Sequence, residues 1–300
     1  MLDRSMSHDR FLPALNLGTI LNLPSWSAGP TGKPATIARA LLDNGYAGVQ
    51  GSDDPAYRAA GLRTYGSGRV VAPAEAQAVL EQQLRAGHEC TTLHVGTGFE
   101  SDDEAFALID AILTASRMLD HPAHIETHRA TITQDIWRTL QWVKHFPEMT
   151  INADLSHWYT GLEMRYGDFD GKLVTMRPIF DRVRFVHGRI GMGGAMQVPI
   201  GLGGRDEPHV SSFARMWQCC FAGFLANAAP DAAIVFAPEI LPEAVPTPDG
   251  PLFIEYALTH PGADGQPTET GDRWDQGFKL TRLARAAFER AVVNGYDLTA

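Results

Sequence analysis

The feature that most constrains this chain is an alternation. Short runs of strand character recur along it, and a stretch with helical spacing lies between most of them. Residues 14–21 can alternate their faces as a first strand, and 34–45 read as a helix stopped by Gly45. Residues 46–51 supply a second strand, 55–61 a short helix, 62–71 a third strand, and 73–87 an Ala-, Glu- and Gln-rich helix. Strand four and a loop occupy 90–98. In 102–119 the residues Phe106, Ile109 and Leu113 recur at helical spacing, and 124–128 form strand five. Ile136, Leu140 and Val143 mark a helix within 133–146, followed by strand six at 150–154. Strand seven falls at 183–187, an apolar helix at 211–229, strand eight at 232–239, and a closing helix at about 272–294.

Eight strands separated mostly by helices make a closed barrel more economical than an open doubly wound sheet. The expected fold class is therefore α/β, a single (β/α)8 TIM barrel spanning residues 1–300, with a long Pro/Gly-rich loop after strand eight. A barrel of this kind needs about 250 residues, which the length accommodates. Residues 238–271 carry Pro242, Pro246, Pro248, Pro251, Pro261 and Pro267; within them 252–257 either pair as a small strand or belong to a loop over one barrel mouth.

With the strands placed, Glu126, Asp154, His187 and Glu239 fall near the carboxyl ends of strands five to eight and converge at one mouth, where barrel enzymes build their sites. Two Glu, one Asp and one His offer oxygen and nitrogen ligands for one divalent metal; manganese is the first choice, and Mg, Co, Fe and Zn are compatible. Period two on strand five aims His124, Glu126 and His128 to one side, with His128 near substrate and His124 a layer deeper as a core histidine. Arg189 follows His187 by two and is placed to contact a hydroxyl, carboxylate or phosphate, or else to pair with a neighbouring acid. His94 ends strand four. His157, three residues past Asp154, is a substrate contact, a second-layer donor, a ligand or a structural hydrogen-bonding group; Trp158 beside it is either an apolar wall against substrate or an ordinary packed aromatic; Gln197, beyond the glycine-rich loop 188–194, either reaches the same site or is a solvent-facing amide.

Residue supply removes several chemistries. The only lysines are Lys33, Lys144, Lys172 and Lys279, and none stands at the carboxyl end of a strand, which disfavours a Schiff base. No nucleophile elbow, P-loop or paired-cysteine metal motif is present. Cys90, Cys219 and Cys220 form no disulfide framework and read as buried, inert thiols of a reducing compartment. A formal net charge of −10, from 25 Lys and Arg against 35 Asp and Glu, and tryptophans that do not interleave with a basic stripe, argue against nucleic acid as a partner. The amino end MLDRSMSHDR has no apolar signal core, and no run reaches the roughly 18 apolar residues of a membrane span, so a cytoplasmic protein without membrane association is expected.

At this point the chain resembles the xylose isomerase-like TIM-barrel superfamily, in its sugar phosphate isomerase/epimerase-like members. The likeness rests on His124-Ile-Glu-Thr127, Asp154-Leu-Ser-His157, Val186-His187 and Phe236-Ala-Pro-Glu239, with Gly45-Tyr-Ala-Gly-Val-Gln50 at strand two, where Gln50 replaces the family's common acid. By resemblance, Glu126, Asp154, His187 and Glu239 match the single-metal ligand set of ketose 3-epimerases, and His157 matches a substrate-contacting histidine. Glu126 and Glu239 would also exchange a proton with substrate on opposite faces through a metal-stabilised enediolate. The chain departs from those epimerases in one respect: the arginine they carry several residues past the strand-seven histidine is missing, with Gly193 in that neighbourhood and Arg189 only two residues beyond His187.

The expected function is thus a divalent-metal-dependent isomerase or epimerase of a sugar or sugar derivative. Its catalytic residues are Glu126 and Glu239, and His94, His128, His157, Trp158, Arg189 and Gln197 contact the substrate. The alternatives are a metal-dependent lyase, dehydratase or hydrolase acting on a keto-sugar or polyol, and a non-catalytic sugar-binding protein. The resemblance implies a homo-oligomer acting on a small-molecule sugar, keto-sugar or polyol.

Overall fold

The structure, a computed structural model, describes residues 10–201, 207–263 and 265–297. The segment 1–9, on which most of the targeting expectation rests, lies outside the described residues. Eight parallel strands form the barrel: β1 (Phe11–Asn16), β2 (Gly48–Gln50), β3 (Arg63–Val70), β4 (Thr91–Val95), β5 (Ala123–Glu126), β6 (Thr150–Ala153), β7 (Val183–Gly188) and β8 (Ile234–Pro238). They pair in sequence order, and the ring closes where Phe11 and Pro13 of β1 stand opposite Ile234 and Phe236 of β8.

Period-two patterning decides what fills the ring and what covers it. Inward positions place Leu12, Ala14, Tyr65, Cys90, Phe185, Val235 and Ala237 in one lumen cluster. Outward positions such as Phe11, Val70, Leu93, Ile125, Ile151, Val186 and Phe236 pack under the helices. Gly48 makes room for the lumen: a Cβ there would stand 2.6 Å from the Tyr65 ring. At the seam, Phe11 of β1 meets Phe221 and Phe288 at ring-centroid separations of 5.7 and 5.5 Å, tying the first strand to the helices Pro208–Asn227 and Arg273–Asn294.

Local chemistry sets the element ends. The helix Asp102–Leu119 begins in a capping box, with Ser101 accepting from Glu104 N and the Glu104 carboxylate accepting from Ser101 N, and it buries Ala105, Leu108, Ile109, Ile112 and Leu113. Asp272 accepts from Trp274 N and starts the last helix where the sequence predicts it.

Three differences from the sequence expectation have physical causes. The first strand is shifted to Phe11–Asn16, because Asn16 Oδ1 accepts from Gly18 N at 2.8 Å and turns Leu17–Ile20 into a 3-10 helix. Between β6 and β7 lie two helices that the sequence reading does not separate, Ser156–Gly161 and Phe169–Phe180. The second buries Leu173, Met176 and Phe180 at helical spacing, but Gly171 and Pro178 inside it mask that signal. After β8 the chain forms two antiparallel hairpins, β9 (Ala244–Thr247) with β10 (Gly250–Phe253), and β11 (Thr259–Pro261) with β12 (Pro267–Glu269), so only the start of 252–257 pairs. Among the described residues no helix is long and apolar enough to cross a membrane.

Candidate metal centre and substrate site

At the carboxyl ends of β5 to β8 the strand period delivers polar side chains to one mouth. Glu126 ends β5; Asp154 and Glu239 each follow their strands by one residue; His187 lies within β7. One ligand atom from each of Glu126, Asp154, His187 and Glu239 lies within 4.8 Å of the others, and the first three side chains are buried. His187 Nδ1 is the common neighbour, 3.4 Å from Glu126 Oε1 and 3.3 Å from Glu239 Oε2.

Electrostatics hold Glu126 and Asp154 ionised. Burial alone would raise the Glu126 carboxyl, but His187 and His94 beside it hold it well below the usual carboxylate range. Asp154 behaves likewise: burial is outweighed by Arg189 and His157, and its carboxyl is depressed. The reciprocal effect acts on His187, where burial is outweighed by Glu239 and Glu126 and the imidazole is pushed up to about 9.

These residues fit a divalent cation. Glu126 Oε1 and Asp154 Oδ2 are buried without a hydrogen-bond partner among the described residues, and three carboxylates surround a space in which the neighbouring fixed cation is the Arg189 guanidinium. Two unsatisfied carboxylate oxygens, a third carboxylate and an imidazole nitrogen form a mixed oxygen and nitrogen donor set of the kind that binds manganese and its neighbours.

Two flanks border the cluster. On one, His94 Nε2 lies 3.2 Å from Glu126 Oε1, the His94 and His128 rings stand 4.2 Å apart, His128 and His157 stand 3.8 Å apart, and His157 Nε2 reaches Asp154 Oδ2 at 3.4 Å. Three imidazoles thus form a rank from one acid to the other. His128 stands beyond β5 in the following loop, and its imidazole is pushed down to about 3 by burial and by His157 and His94, so it is neutral at ordinary pH. On the other flank the buried Arg189 pairs with Glu239, lies 3.4 Å from Asp154 Oδ2, and sits 4.4 Å from the centre of the Tyr256 ring.

Two expected substrate contacts are engaged by protein partners, although Gln197 lines one cavity together with Arg189. Trp158 is fully buried in the main core, with Nε1 donating to Thr133 O at 2.8 Å, as an ordinary packed aromatic would be. Gln197 engages the Leu241 backbone with both ends of its amide, donating to O and accepting from N at 2.8 Å each, and so latches the loop after β7 to the segment after β8. His124 lies a layer below Glu126, buried against Thr150 Oγ1 at 2.9 Å, with its imidazole pushed down to about 3 by burial.

Four residues of the site escape the sequence reading as site residues. Asn152 stands two before Asp154 and donates to Glu126 Oε2 at 3.0 Å, a placement the strand period signals. Asn16 and Gln50 end β1 and β2; Asn16 Nδ2 reaches Glu239 Oε1 at 3.0 Å, and Gln50 Oε1 lies 2.8 Å from His187 Nε2. Tyr256 arrives from between the two hairpins and lies under Arg129 as well as Arg189; nothing in its local sequence marks it.

No family model matches the sequence, and no curated protein matches it. Solved structures do. A D-tagatose 3-epimerase-like protein superposes with a TM-score of 0.54 at 10% identity, over 93% of this chain and 99% of that one. A sugar phosphate isomerase/epimerase from Parabacteroides distasonis gives 0.51 at 9% identity, over 92% of each chain. The probable 3-DHS dehydratase AsbF of petrobactin synthesis from Bacillus anthracis gives 0.50 at 13% identity, over 76% of this chain and 92% of that one. At these identities the likeness is one of fold: the chain is a closed (β/α)8 barrel similar to the sugar isomerase/epimerase-like TIM barrels.

Proposed function

We propose that this chain is a divalent-metal-dependent isomerase or epimerase of a sugar or sugar derivative. The observation that carries the reading is that Glu126 and Glu239 approach His187 Nδ1 from two different strands of the ring, at 3.4 and 3.3 Å, inside a cluster with unsatisfied carboxylate oxygens. Glu126, Asp154, His187 and Glu239 would hold the ion, manganese first among Mg, Co, Fe and Zn. Such an ion, when bound, lowers the cost of negative charge on the substrate oxygens beside the reacting carbon.

The protein's own groups supply the rest. Glu126 and Glu239 are both ionisable carboxyl groups at one centre, so one, ionised, can take a proton from a carbon next to a carbonyl while the other, carrying a proton of its own, delivers that proton to the opposite face, which leaves the two protonation states exchanged. His94, His128 and His157 line one side with ring nitrogens for hydroxyl groups, and Arg189 faces the other as a fixed cation for an anionic or oxygen-rich substituent.

That same Arg189 favours a second reading, a lyase or dehydratase, because an anionic group anchored beside the reacting carbon would let proton removal proceed to loss of a β substituent. One experiment separates the readings. The manganese-loaded protein is incubated with a panel of keto-sugars and polyols in heavy water and the products are read by NMR and mass. Isomerisation places deuterium on carbon in a product isomeric with the substrate, and elimination loses the mass of water. Glu126→Gln and Glu239→Gln, each folded, are expected to slow exchange by roughly 100- to 10,000-fold. Manganese-loaded protein that exchanges no carbon-bound proton across the panel would overturn both.

A further inference from the structure

We infer that Gln50 is a positioning residue that fixes the tautomer of His187, holding the proton on Nε2 so that Nδ1 is the atom presented to the cation. The inference rests on the reading of the four-residue cluster as an ion site and adds how that site is kept in one protonation pattern.

The argument starts from a backbone N–H, whose polarity is fixed. Gly18 N donates to Asn16 Oδ1 at 2.8 Å, so the amide nitrogen of Asn16 must be the end that points into the barrel. There Asn16 Nδ2 meets Glu239 Oε1 at 3.0 Å, a carboxylate that requires a donor, and Gln50 Oε1 at 3.1 Å. Gln50 is oriented from its other end too, because Nε2 donates to Thr92 Oγ1 at 2.9 Å and to Gly66 O at 3.4 Å. The oxygen of Gln50 therefore faces His187 Nε2 at 2.8 Å, and an amide oxygen only accepts. The ring must donate from Nε2. Once the second ring proton leaves, Nδ1 carries the lone pair.

The opposite side agrees. Asn152 Nδ2 is held as a donor by Glu126 Oε2 at 3.0 Å and lies 3.2 Å from His187 Nδ1 and 3.4 Å from Nε2, so it offers neither ring nitrogen an acceptor and leaves Nε2 to Gln50 and Nδ1 to the Glu126 and Glu239 carboxylates of the cluster, at 3.4 and 3.3 Å. Both Gln50 and Asn152 are fully buried, which leaves bulk water no part in the choice. A carboxylate at position 50 would accept the Nε2 proton whichever way it turned. A carboxamide accepts only in one of its two orientations, so in this chain Asn16 and Thr92 are needed to select it.

Two measurements test this. In cadmium-loaded protein with isotopically labelled histidine, scalar coupling between the metal and the ring is expected at Nδ1 of His187, with a proton retained on Nε2; coupling at Nε2 would overturn the inference without any variant. Gln50→Leu is expected to weaken manganese binding by roughly 10- to 100-fold while circular dichroism stays unchanged, and Gln50→Glu, which keeps an acceptor, is expected to restore it. Manganese affinity equal in Gln50→Leu and the unaltered protein, but lost in Asp154→Asn, would overturn the tautomer control alone. A protein that binds neither ion would overturn the ion-site reading and this inference together.

Discussion

Arg189 Nε lies 3.4 Å from Asp154 Oδ2, and both side chains are sealed from solvent. The same guanidinium also pairs with Glu239, so one fixed cation is shared by two of the four clustered residues. Removing one partner of a buried pair leaves the others uncompensated. Arg189→Met is expected to destabilise the ion-free protein by about 3–5 kcal/mol in urea unfolding. Saturating manganese should recover a large part of that loss, because an ion that binds only the folded state adds stability by mass action. An unchanged unfolding midpoint without metal would show that the acids do not depend on Arg189.

His187 sets a pH dependence with a definite sign. Its ordinary value is about 6.5, and in the folded protein it is raised to about 9. The stability it contributes without metal is fully present below about 6.5 and is lost as pH rises through about 9. Ion binding must expel that proton, so manganese affinity should rise across the same window and level off above it, with about one proton released per ion at neutral pH. Calorimetry in two buffers of different ionisation enthalpy counts the proton; a count of zero throughout would contradict the assignment.

Trp158 provides a test of core against site. Its full burial and its bond to Thr133 O predict that Trp158→Ala costs about 3–5 kcal/mol in stability. Manganese affinity, measured on the folded fraction, should be nearly unchanged, since the indole contributes no ligand atom to the four-residue cluster.

The thiols should be silent. Burial pushes the Cys90 and Cys219 thiols up to about 12 and raises Cys220 as well. A thiol reagent at neutral pH should find none of the three cysteines in the native protein and all three after unfolding. Stoichiometric labelling of the folded protein at neutral pH would contradict this burial.

The parts legible in sequence were those written in a period. Alternation within strands placed Glu126, Asp154, His187 and Glu239 at one mouth, and the helices with clean apolar spacing, such as Asp102–Leu119, appear with the predicted ends. Illegible parts depended on contacts between distant segments. Gln197 looks like a free amide until Leu241 is brought beside it, and Trp158 looks like a mouth residue until the loop from β5 folds over it. Tyr256 could not be read at all, since its role comes from two arginines far away in sequence.

The seam of the barrel has a consequence for biosynthesis. Glu126, Asp154 and His187 occupy adjoining strands and can come together as soon as β7 is laid down, but Asn16 Nδ2 and Glu239 Oε1, 3.0 Å apart, belong to the first strand and to the residue after the last. The four-residue cluster therefore exists only in a chain that has emerged far enough from the ribosome to close its ring. A polypeptide truncated before β8 would keep three of the four donors but lack Glu239 and the bond to Asn16 that holds it at the seam, so completing the ion site and closing the ring are the same event.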